Sequence, residues 1–121
     1  MTSSTSNLPR RGEIWLVNLD PTVGAEIQKI RPTVVVSSDA VGRLPIKLVA
    51  PITEWKAAFT TNLWHVRIDP SSSNGLSKVS AVDVLQLRGL DTQRFVRRLG
   101  RLAASQMEEI AAAIAAIVEY Q

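Results

Sequence analysis

The chain contains no cysteine and only one histidine, His65, among its 121 residues. Without cysteine it has no disulfide framework, no thiolate zinc site and no cysteine nucleophile. With one histidine it has no intrachain cluster of histidine metal ligands, and a catalytic histidine pair would require two copies of the chain. Hydrophobic residues make up 45% and charged residues 21%, which indicates one folded domain of ordinary globular composition.

Long hydrophobic runs are missing as well. The longest, residues 110–118, is far shorter than the roughly 20 residues that span a bilayer. Residues 1–9 are mostly Ser, Thr and Asn, and they lack the apolar segment of a secretory signal. We therefore expect a soluble, cytoplasmic protein without membrane contact, with a disordered arm at residues 1–9 and a single domain at residues 10–121.

The basic residues are mostly arginine, which outnumbers lysine ten to four. The planar guanidinium group matches the geometry of phosphate oxygens, so this bias fits a phosphodiester partner. A net charge of +3 is modest for this length, however. The arginine cluster at residues 94–101 fits a solvated face as well as a nucleic-acid interface, and charge alone leaves both readings open.

Runs of β-branched and apolar residues bounded by Pro, Gly, Asp or Ser predict six strands. In the first of them, apolar residues occupy both alternating faces, which is typical of a barrel wall, a helix-covered sheet or a subunit interface. Asp91 is expected to cap a single helical turn at residues 92–95. The predicted strands are residues 13–20, 33–38, 46–53, 64–69, 78–87 and 96–102.

The C-terminal segment has the most regular pattern in the chain. Ser105 and Glu108 have the S-x-x-E spacing of a capping box, which would start a helix there. The apolar residues that follow predict one stripe along this helix, covering either the core or a second subunit. The stripe comprises Met107, Ile110, Ala111, Ile114, Ile117 and Val118.

The sequence lacks a phosphate-binding glycine loop, a Gly-x-Ser-x-Gly elbow and a metal-binding motif. Three classes of function therefore remain open from composition and pattern. They are an enzyme that acts on phosphodiesters with arginine, a nucleic-acid-binding barrel without catalysis, and a module that binds another protein.

From residue 10 onward the chain resembles the MazF/PemK/Kid family of toxin endoribonucleases. Each matching piece is weak alone, but their order and spacing over nearly the whole chain are specific. The pieces are Arg11-Gly12-Glu13, Asp20-Pro21, Gly24, Glu26, Arg31-Pro32, the VAPIT segment at residues 49–53, Gly75-Leu76, Ser80, Gln86, Arg88, Leu90-Asp91 and Arg94.

The resemblance implies a mostly-β fold, a small SH3-like antiparallel barrel like those of the CcdB and MazF toxins, with a C-terminal helix. It implies a homodimer that cleaves single-stranded RNA, chiefly mRNA, at specific sequences and without a metal or cofactor. The expected products are a 2′,3′-cyclic phosphate or 3′-phosphate and a 5′-hydroxyl. The expected protein partner is a MazE-like antitoxin whose C-terminal segment blocks the RNA groove.

In the family's terms, the matching catalytic residues are Arg31 and Thr53. An arginine supplies fixed positive charge to the phosphate, and a threonine hydroxyl donates to its oxygens or orients the nucleophile. Glu26 is a candidate base, or a partner that orients Arg31. His65 is a further acid–base candidate, because imidazole exchanges protons near neutral pH, although a lone histidine beside Trp64 is more often structural.

Three other side chains are candidates for RNA binding. Gln28, Ser80 and Gln86 carry amide or hydroxyl groups that can read the exposed edges of unpaired bases. Ser80 and Gln86 fall on positions of the family pattern. Trp55, Phe59 and Trp64 could stack on bases, but core or dimer packing is the favoured interpretation for the two tryptophans.

Two departures from the family pattern lie near the expected groove. Ile27 stands where the family often has glutamine directly after the loop glutamate. Leu85 stands where an acidic residue often precedes the later glutamine, and the nearest acid is Asp83. The alternatives to RNA cleavage are a CcdB-like gyrase poison that acts by protein binding and a non-catalytic RNA-binding barrel.

Overall fold

The computed structural model describes residues 8–120, and these contain seven strands followed by one helix. Every strand pairing is antiparallel, so the predicted mostly-β fold with a C-terminal helix is confirmed. The elements are β1 (Glu13–Asn18), β2 (Ile30–Val35), β3 (Ile46–Glu54), β4 (His65–Ile68), β5 (Ser80–Asp83), β6 (Arg88–Asp91), β7 (Phe95–Arg101) and α1 (Ala104–Ile117).

Residues 1–7 of the arm predicted at residues 1–9 lie outside the described residues. The last two residues of that segment are part of the folded domain, since Leu8 is half-buried and Pro9 is buried.

The strands follow the order β4-β5-β3-β2-β1-β7, and β6 pairs separately with β3. β3 is the longest strand and belongs to both halves of the sheet. Its first part, residues 46–49, pairs with β6, and its last part, residues 52–54, pairs with β5. The sheet therefore bends around β3 and encloses a core in the manner of a small barrel.

The long connection between β4 and β5 closes the side of the barrel next to β7. The backbone N–H of Arg101 donates to the carbonyl oxygen of Ser73 at 2.9 Å. Gly75 has φ +72°, and a Cβ atom there would overlap the carbonyl oxygen of Leu99, while one at Gly100 would overlap that of Ser73. Glycine is required at both positions because the two backbones touch directly.

The two faces of β1 pack into two separate apolar clusters, as its alternating pattern predicts. Ile14 lies in the larger cluster, which α1 covers through Met107 and Ile110. Val17 and Leu19 lie in the smaller cluster on the opposite face, against which Trp15 packs.

The predicted capping box at Ser105 and Glu108 is wrong, because α1 begins earlier, at Ala104. Gln106 performs part of the capping instead, since its Oε1 accepts the backbone N–H of Ala103 at 2.8 Å. Of the predicted stripe only Met107 and Ile110 are fully buried; Ile114 and Ile117 are half-buried, and Ala111 and Val118 are exposed. No helix within residues 8–120 is long and apolar enough to cross a bilayer.

The strand predicted at residues 78–87 is also wrong in its length. β5 stops at Asp83, whose Oδ1 accepts the backbone N–H of Leu85 at 3.0 Å and starts a 3-10 turn, Val84–Gln86. The chain then forms β6, which the apolar pattern did not predict. The Asp91 cap is confirmed, since its side chain accepts the backbone N–H of Gln93 at 2.8 Å.

Candidate active site

A cleft of about 540 Å³ opens where the start of β2, the end of β3 and the β4–β5 connection approach β7. Its floor is apolar and includes Leu16 and Ile52, while its rim is polar. The polar and charged side chains that line this cleft are Arg31, Thr53, Glu54, Lys56, Ser77, Lys78, Ser80 and Arg97.

Arg31 and Thr53 are brought together by the register of β2 and β3. Thr33 of β2 lies opposite Pro51 of β3. Arg31 lies two residues before Thr33 and Thr53 lies two residues after Pro51, so each keeps the face of its neighbour in this last pair. Both side chains line the cleft, so the structure joins two residues that are 22 positions apart in the chain.

The guanidinium group of Arg31 is held at one nitrogen only. Its Nε donates to the carbonyl oxygen of Gln28 at 3.1 Å. Within residues 8–120 its two terminal amino groups have no hydrogen-bond partner, and the residue is exposed. The planar fork is therefore fixed at its base and open toward the cleft, where it can bind two oxygens of one anion.

Four basic side chains face a single carboxylate in the cleft, so its lining is strongly positive. Lys78 Nζ lies 3.7 Å from Glu54 Oε1, but both side chains are more than half exposed, and such a pair contributes little. The remaining positive charge lies on Arg31, Lys56 and Arg97. A cleft with this charge attracts an anionic ligand.

Ser80 is the third predicted site residue in the cleft. It is 95% buried, and its hydroxyl donates to the carbonyl oxygen of Lys78 at 2.8 Å. That hydrogen bond occupies the only proton of the hydroxyl and leaves the lone pairs of the oxygen as acceptors. Ser80 is therefore arranged to accept a hydrogen bond rather than to donate one.

Glu26 and Gln28 lie in the β1–β2 loop, residues 19–29, and their side chains do not line the cleft. Glu26 Oε1 accepts the backbone N–H of Val23 at 2.8 Å, which closes a turn within the loop. The side chain of Gln28 is exposed, and its carbonyl group holds Arg31.

Gln86 lies beneath the β1–β2 loop rather than in the cleft. Its Oε1 accepts the backbone N–H of Ile27 at 2.6 Å. Two arginines of the family pattern hold the start of the same loop: Arg88 Nη1 donates to the carbonyl oxygen of Leu19 at 3.2 Å, and Arg94 Nη1 donates to that of Asp20 at 2.6 Å. These three side chains fix the loop at both ends.

His65 is placed in a packed environment outside the cleft. Its side chain is 7% exposed, and its ring stacks on Phe59 with 3.7 Å between centroids. Asn62 Nδ2 lies 3.2 Å from Nδ1, and Asp83 Oδ2 lies 3.6 Å from Nε2. These contacts favour the structural interpretation of His65.

The predicted aromatic candidates also contact one another. Trp55 meets Phe59 edge to face at 5.7 Å, and the guanidinium of Arg67 lies over the Trp55 ring. Trp64 packs against the main core. Each of the three rings therefore has packing contacts within the fold.

The sequence interpretation missed three cations of the cleft: Lys56, Lys78 and Arg97. Arg97 belonged to a recognised arginine cluster, but only its pairing with Leu16 across β1 and β7 places it at the cleft. No motif around Lys56 or Lys78 marks either residue as part of a site. Lys56 follows β3 and Lys78 precedes β5, and the fold brings both to the cleft. Within residues 8–120, no three His, Asp or Glu side chains are grouped to hold a metal ion.

The fold and the cleft together define a small antiparallel barrel with a basic, hydroxyl-lined groove suited to an anionic ligand. A sequence model of the family described as PemK-like, MazF-like toxins of type II toxin–antitoxin systems matches residues 10–118. The chain therefore belongs to this toxin family. It is also similar to an endoribonuclease named MazF from Staphylococcus saprophyticus, with 36% identity over 108 residues, 87% of each protein.

Solved structures agree with this assignment. The Mycobacterium tuberculosis toxin MazF-mt6 is 26% identical, with a TM-score of 0.73 over 90% of this chain and 98% of that one. A mycobacterial endoribonuclease solved in complex with its cognate antitoxin has a TM-score of 0.74 at 19% identity, over 94% of this chain and 98% of that one. At 19% identity, the comparison with the mycobacterial endoribonuclease shows a shared fold only.

Proposed function

We propose that this protein is the toxin of a toxin–antitoxin system and a sequence-specific endoribonuclease that cleaves single-stranded mRNA in the cytoplasm. Cleavage of mRNA inhibits translation and growth. The observation that carries the proposal is that Arg31 and Thr53 line one cleft, which holds four basic side chains with Arg31 among them. Membership of the toxin family and the endoribonuclease named among its relatives support it.

The proposed reaction is an internal transfer at phosphorus. The 2′-hydroxyl oxygen of the nucleotide bonds to the adjacent phosphorus as its proton leaves to a base. The bond from phosphorus to the 5′ oxygen breaks, and that oxygen takes up a proton. The products are a 2′,3′-cyclic phosphate, which hydrolysis converts to a 3′-phosphate, and a 5′-hydroxyl.

Arg31 and Thr53 stabilise the phosphorus centre in this scheme. The open amino groups of Arg31 donate to the non-bridging oxygens, on which negative charge builds up in the transition state. The Thr53 hydroxyl donates to the same oxygens or orients the 2′-hydroxyl. Glu26 holds the turn of the β1–β2 loop, since its carboxylate is engaged by Val23.

Fixed protein charge supplies the electrostatic stabilisation, and the proposed reaction uses neither metal nor cofactor. Lys56, Lys78 and Arg97 bind neighbouring phosphates along the cleft. Ser80 accepts a hydrogen bond from a base edge, and the exposed amide of Gln28 reads a further one.

An antitoxin inhibits the toxin in this proposal by placing its C-terminal segment in the same cleft. A segment carrying carboxylates complements the positive lining and excludes RNA. A peptide of that kind should therefore raise KM for RNA and leave kcat unchanged. The mycobacterial complex with a cognate antitoxin supports such a partner.

We also propose that the protein acts as a homodimer. Val41, Leu44, Ile46 and Leu48 are 38 to 57% exposed and form an apolar surface around the start of β3. Burial against a second copy would remove this surface from water. Leu48→Lys should lower the mass measured by sedimentation to that of a monomer, while Leu63→Lys, at a residue 59% exposed elsewhere, should not.

The proposed activity is tested with purified protein and a labelled single-stranded RNA in excess EDTA. We expect cleavage at one short sequence, with a cyclic phosphate or 3′-phosphate and a 5′-hydroxyl at the new ends. A requirement for divalent metal would contradict the mechanism. DNA damage without RNA decay in expressing cells would indicate a gyrase poison, and RNA retention without scission would indicate a passive binder.

A further inference from the structure

A line of polar side chains connects buried His65 to the β1–β2 loop and, through it, to Arg31. Its members come from the β3–β4 connection, β4, the end of β5 and the 3-10 turn that follows β5. The proposed mechanism uses none of them. The side chains in order are Asn62, His65, Asp83 and Gln86.

The orientation of His65 follows from its neighbours. Asn62 Nδ2 donates to Nδ1 of His65 in the tautomer whose ring proton lies on Nε2. That proton faces Asp83 Oδ2 at 3.6 Å. Both side chains are less than 10% exposed, so the contact is shielded from water.

Asp83 holds two groups besides His65. Its Oδ1 accepts the backbone N–H of Leu85, and its Oδ2 lies 3.4 Å from Gln86 Nε2, which donates to it. The carboxylate therefore fixes both the backbone of the 3-10 turn and the amide of Gln86. With Nε2 bound to Asp83, Oε1 is directed at the backbone N–H of Ile27.

Both polar atoms of the Gln86 side chain are engaged by groups within the protein. Its Oε1 accepts from Ile27, while Nε2 faces the carbonyl oxygen of Ala25 at 3.5 Å as well as Asp83. Reading an RNA base would require breaking these contacts. The geometry therefore opposes the base-reading role that the sequence suggested for Gln86.

One residue beyond Ile27, the loop carries the carbonyl group that holds Arg31. Gln28 accepts the Nε–H of Arg31 at 3.1 Å. The hydrogen bond from Ile27 to Gln86 thus fixes the loop next to that acceptor. Because Nε is bound there, the position of Gln28 determines where the open amino groups point.

We infer that Gln86 is a positioning residue, which Asp83 holds in place and which aims the guanidinium of Arg31 at the scissile phosphate by fixing the β1–β2 loop. The inference rests on the proposed function. A small displacement of a catalytic group lowers the rate of chemistry far more than it lowers binding.

The test begins with the free wild-type protein by NMR, without RNA. The Ile27 amide and the Arg31 Nε–H should exchange slowly with solvent. Gln86→Met keeps the length of the side chain and removes its hydrogen bonds, so exchange at both sites should accelerate. With an RNA oligonucleotide containing the mapped cleavage site, kcat should fall on the order of 10- to 100-fold, with KM and the cleaved sequence unchanged.

Gln93→Met is the matched control, because Gln93 is exposed on the turn before β7; it should match wild type in exchange and in kcat. Asp83→Asn is the second variant, which keeps the side-chain shape and removes the charge that holds Gln86. It should change both readouts in the same direction by a smaller factor. This variant decides the question if Gln86→Met does not fold.

The inference is overturned if wild type cleaves RNA and the folded variants match it in kcat and in Arg31 exchange. It is also overturned if Gln86→Met changes the cleaved sequence while kcat is retained, since Gln86 would then read bases. If Arg31 exchange responds as expected but wild type cleaves no RNA, the link from Gln86 to Arg31 is supported and the proposed function fails.

Discussion

The cleft and the β1–β2 loop beside it use polar side chains in opposite ways. In the cleft, Arg31 keeps its terminal amino groups open, and Lys56 and Arg97 face solvent. At the loop, Gln86, Arg88 and Arg94 are all hydrogen-bonded to backbone groups of the loop.

This contrast indicates which residues are available to a ligand. A hydrogen-bonding group already satisfied within the fold must break that contact to bind substrate, whereas an open group loses only water. Residues of the same chemical type therefore divide into ligand-binding and structural sets according to their partners. Four substitutions test this division, and Arg31→Ala is expected to have the strongest effect.

Arg31→Ala removes the open guanidinium from the centre of the cleft. We expect kcat/KM to fall by about 10³-fold, because the charge that stabilises the transition state is lost. Arg31→Lys should recover little, since an ammonium group cannot make two parallel hydrogen bonds to phosphate. The melting temperature should stay close to wild type because the side chain is exposed. Normal cleavage by Arg31→Ala would remove the basis of the proposed site.

Thr53→Val keeps the shape of a half-buried side chain and removes its hydroxyl. We expect kcat to fall by about 10²-fold in single-turnover cleavage assays, as for loss of one donor to the reacting phosphate. Thr53→Ser restores the hydroxyl and should stay within about fivefold of wild type. Equal rates for Val and Ser would assign Thr53 to packing.

Arg97→Ala tests whether the cations at the cleft's edge bind phosphates. We expect KM to rise by about fivefold to tenfold with kcat unchanged. The slope of log affinity against log salt concentration should become shallower by about 0.7, as expected for one lost contact to a single strand. Arg67→Ala, at an exposed arginine outside the cleft lining, should leave the slope unchanged.

Glu26→Gln gives the smallest effect if the loop carboxylate is structural. Glutamine keeps an oxygen that accepts the N–H of Val23, so kcat should remain within about threefold of wild type. Loss of a general base would lower kcat by about 10²-fold or more. A stopped-flow or quenched cleavage assay separates these outcomes.

Sequence patterns predicted most of the strands because each is a β-branched run whose ends carry turn residues. They failed between residues 78 and 91 for a specific reason. That stretch continues in apolar alternation, and only the capture of the Leu85 N–H by Asp83 ends β5. Likewise, the start of α1 depends on Gln106 reaching back to Ala103, which competes with the capping pattern at Ser105.

The candidate site divides in a similar way. Arg31, Thr53 and Ser80 were identified by resemblance to a family, and the structure places all three in one cleft. Glu26 and Gln86 matched the same family pattern, yet their hydrogen bonds serve the loop. A motif records that a residue type occurs at a position, but it does not record whether that side chain faces a ligand or the fold.

Local sequence is enough to specify the strand-rich composition, the amphipathic C-terminal segment and the residue types available for chemistry, because these depend on neighbouring residues only. Which distant residues meet depends on the three-dimensional fold. The pairing of β2 with β3 brings Arg31 and Thr53 to one cleft, the pairing of β7 with β1 brings Arg97 to it, and the turn after Asp83 turns Gln86 toward the loop. Each is set by contacts between segments far apart in the chain, and local patterns carry no information about those contacts.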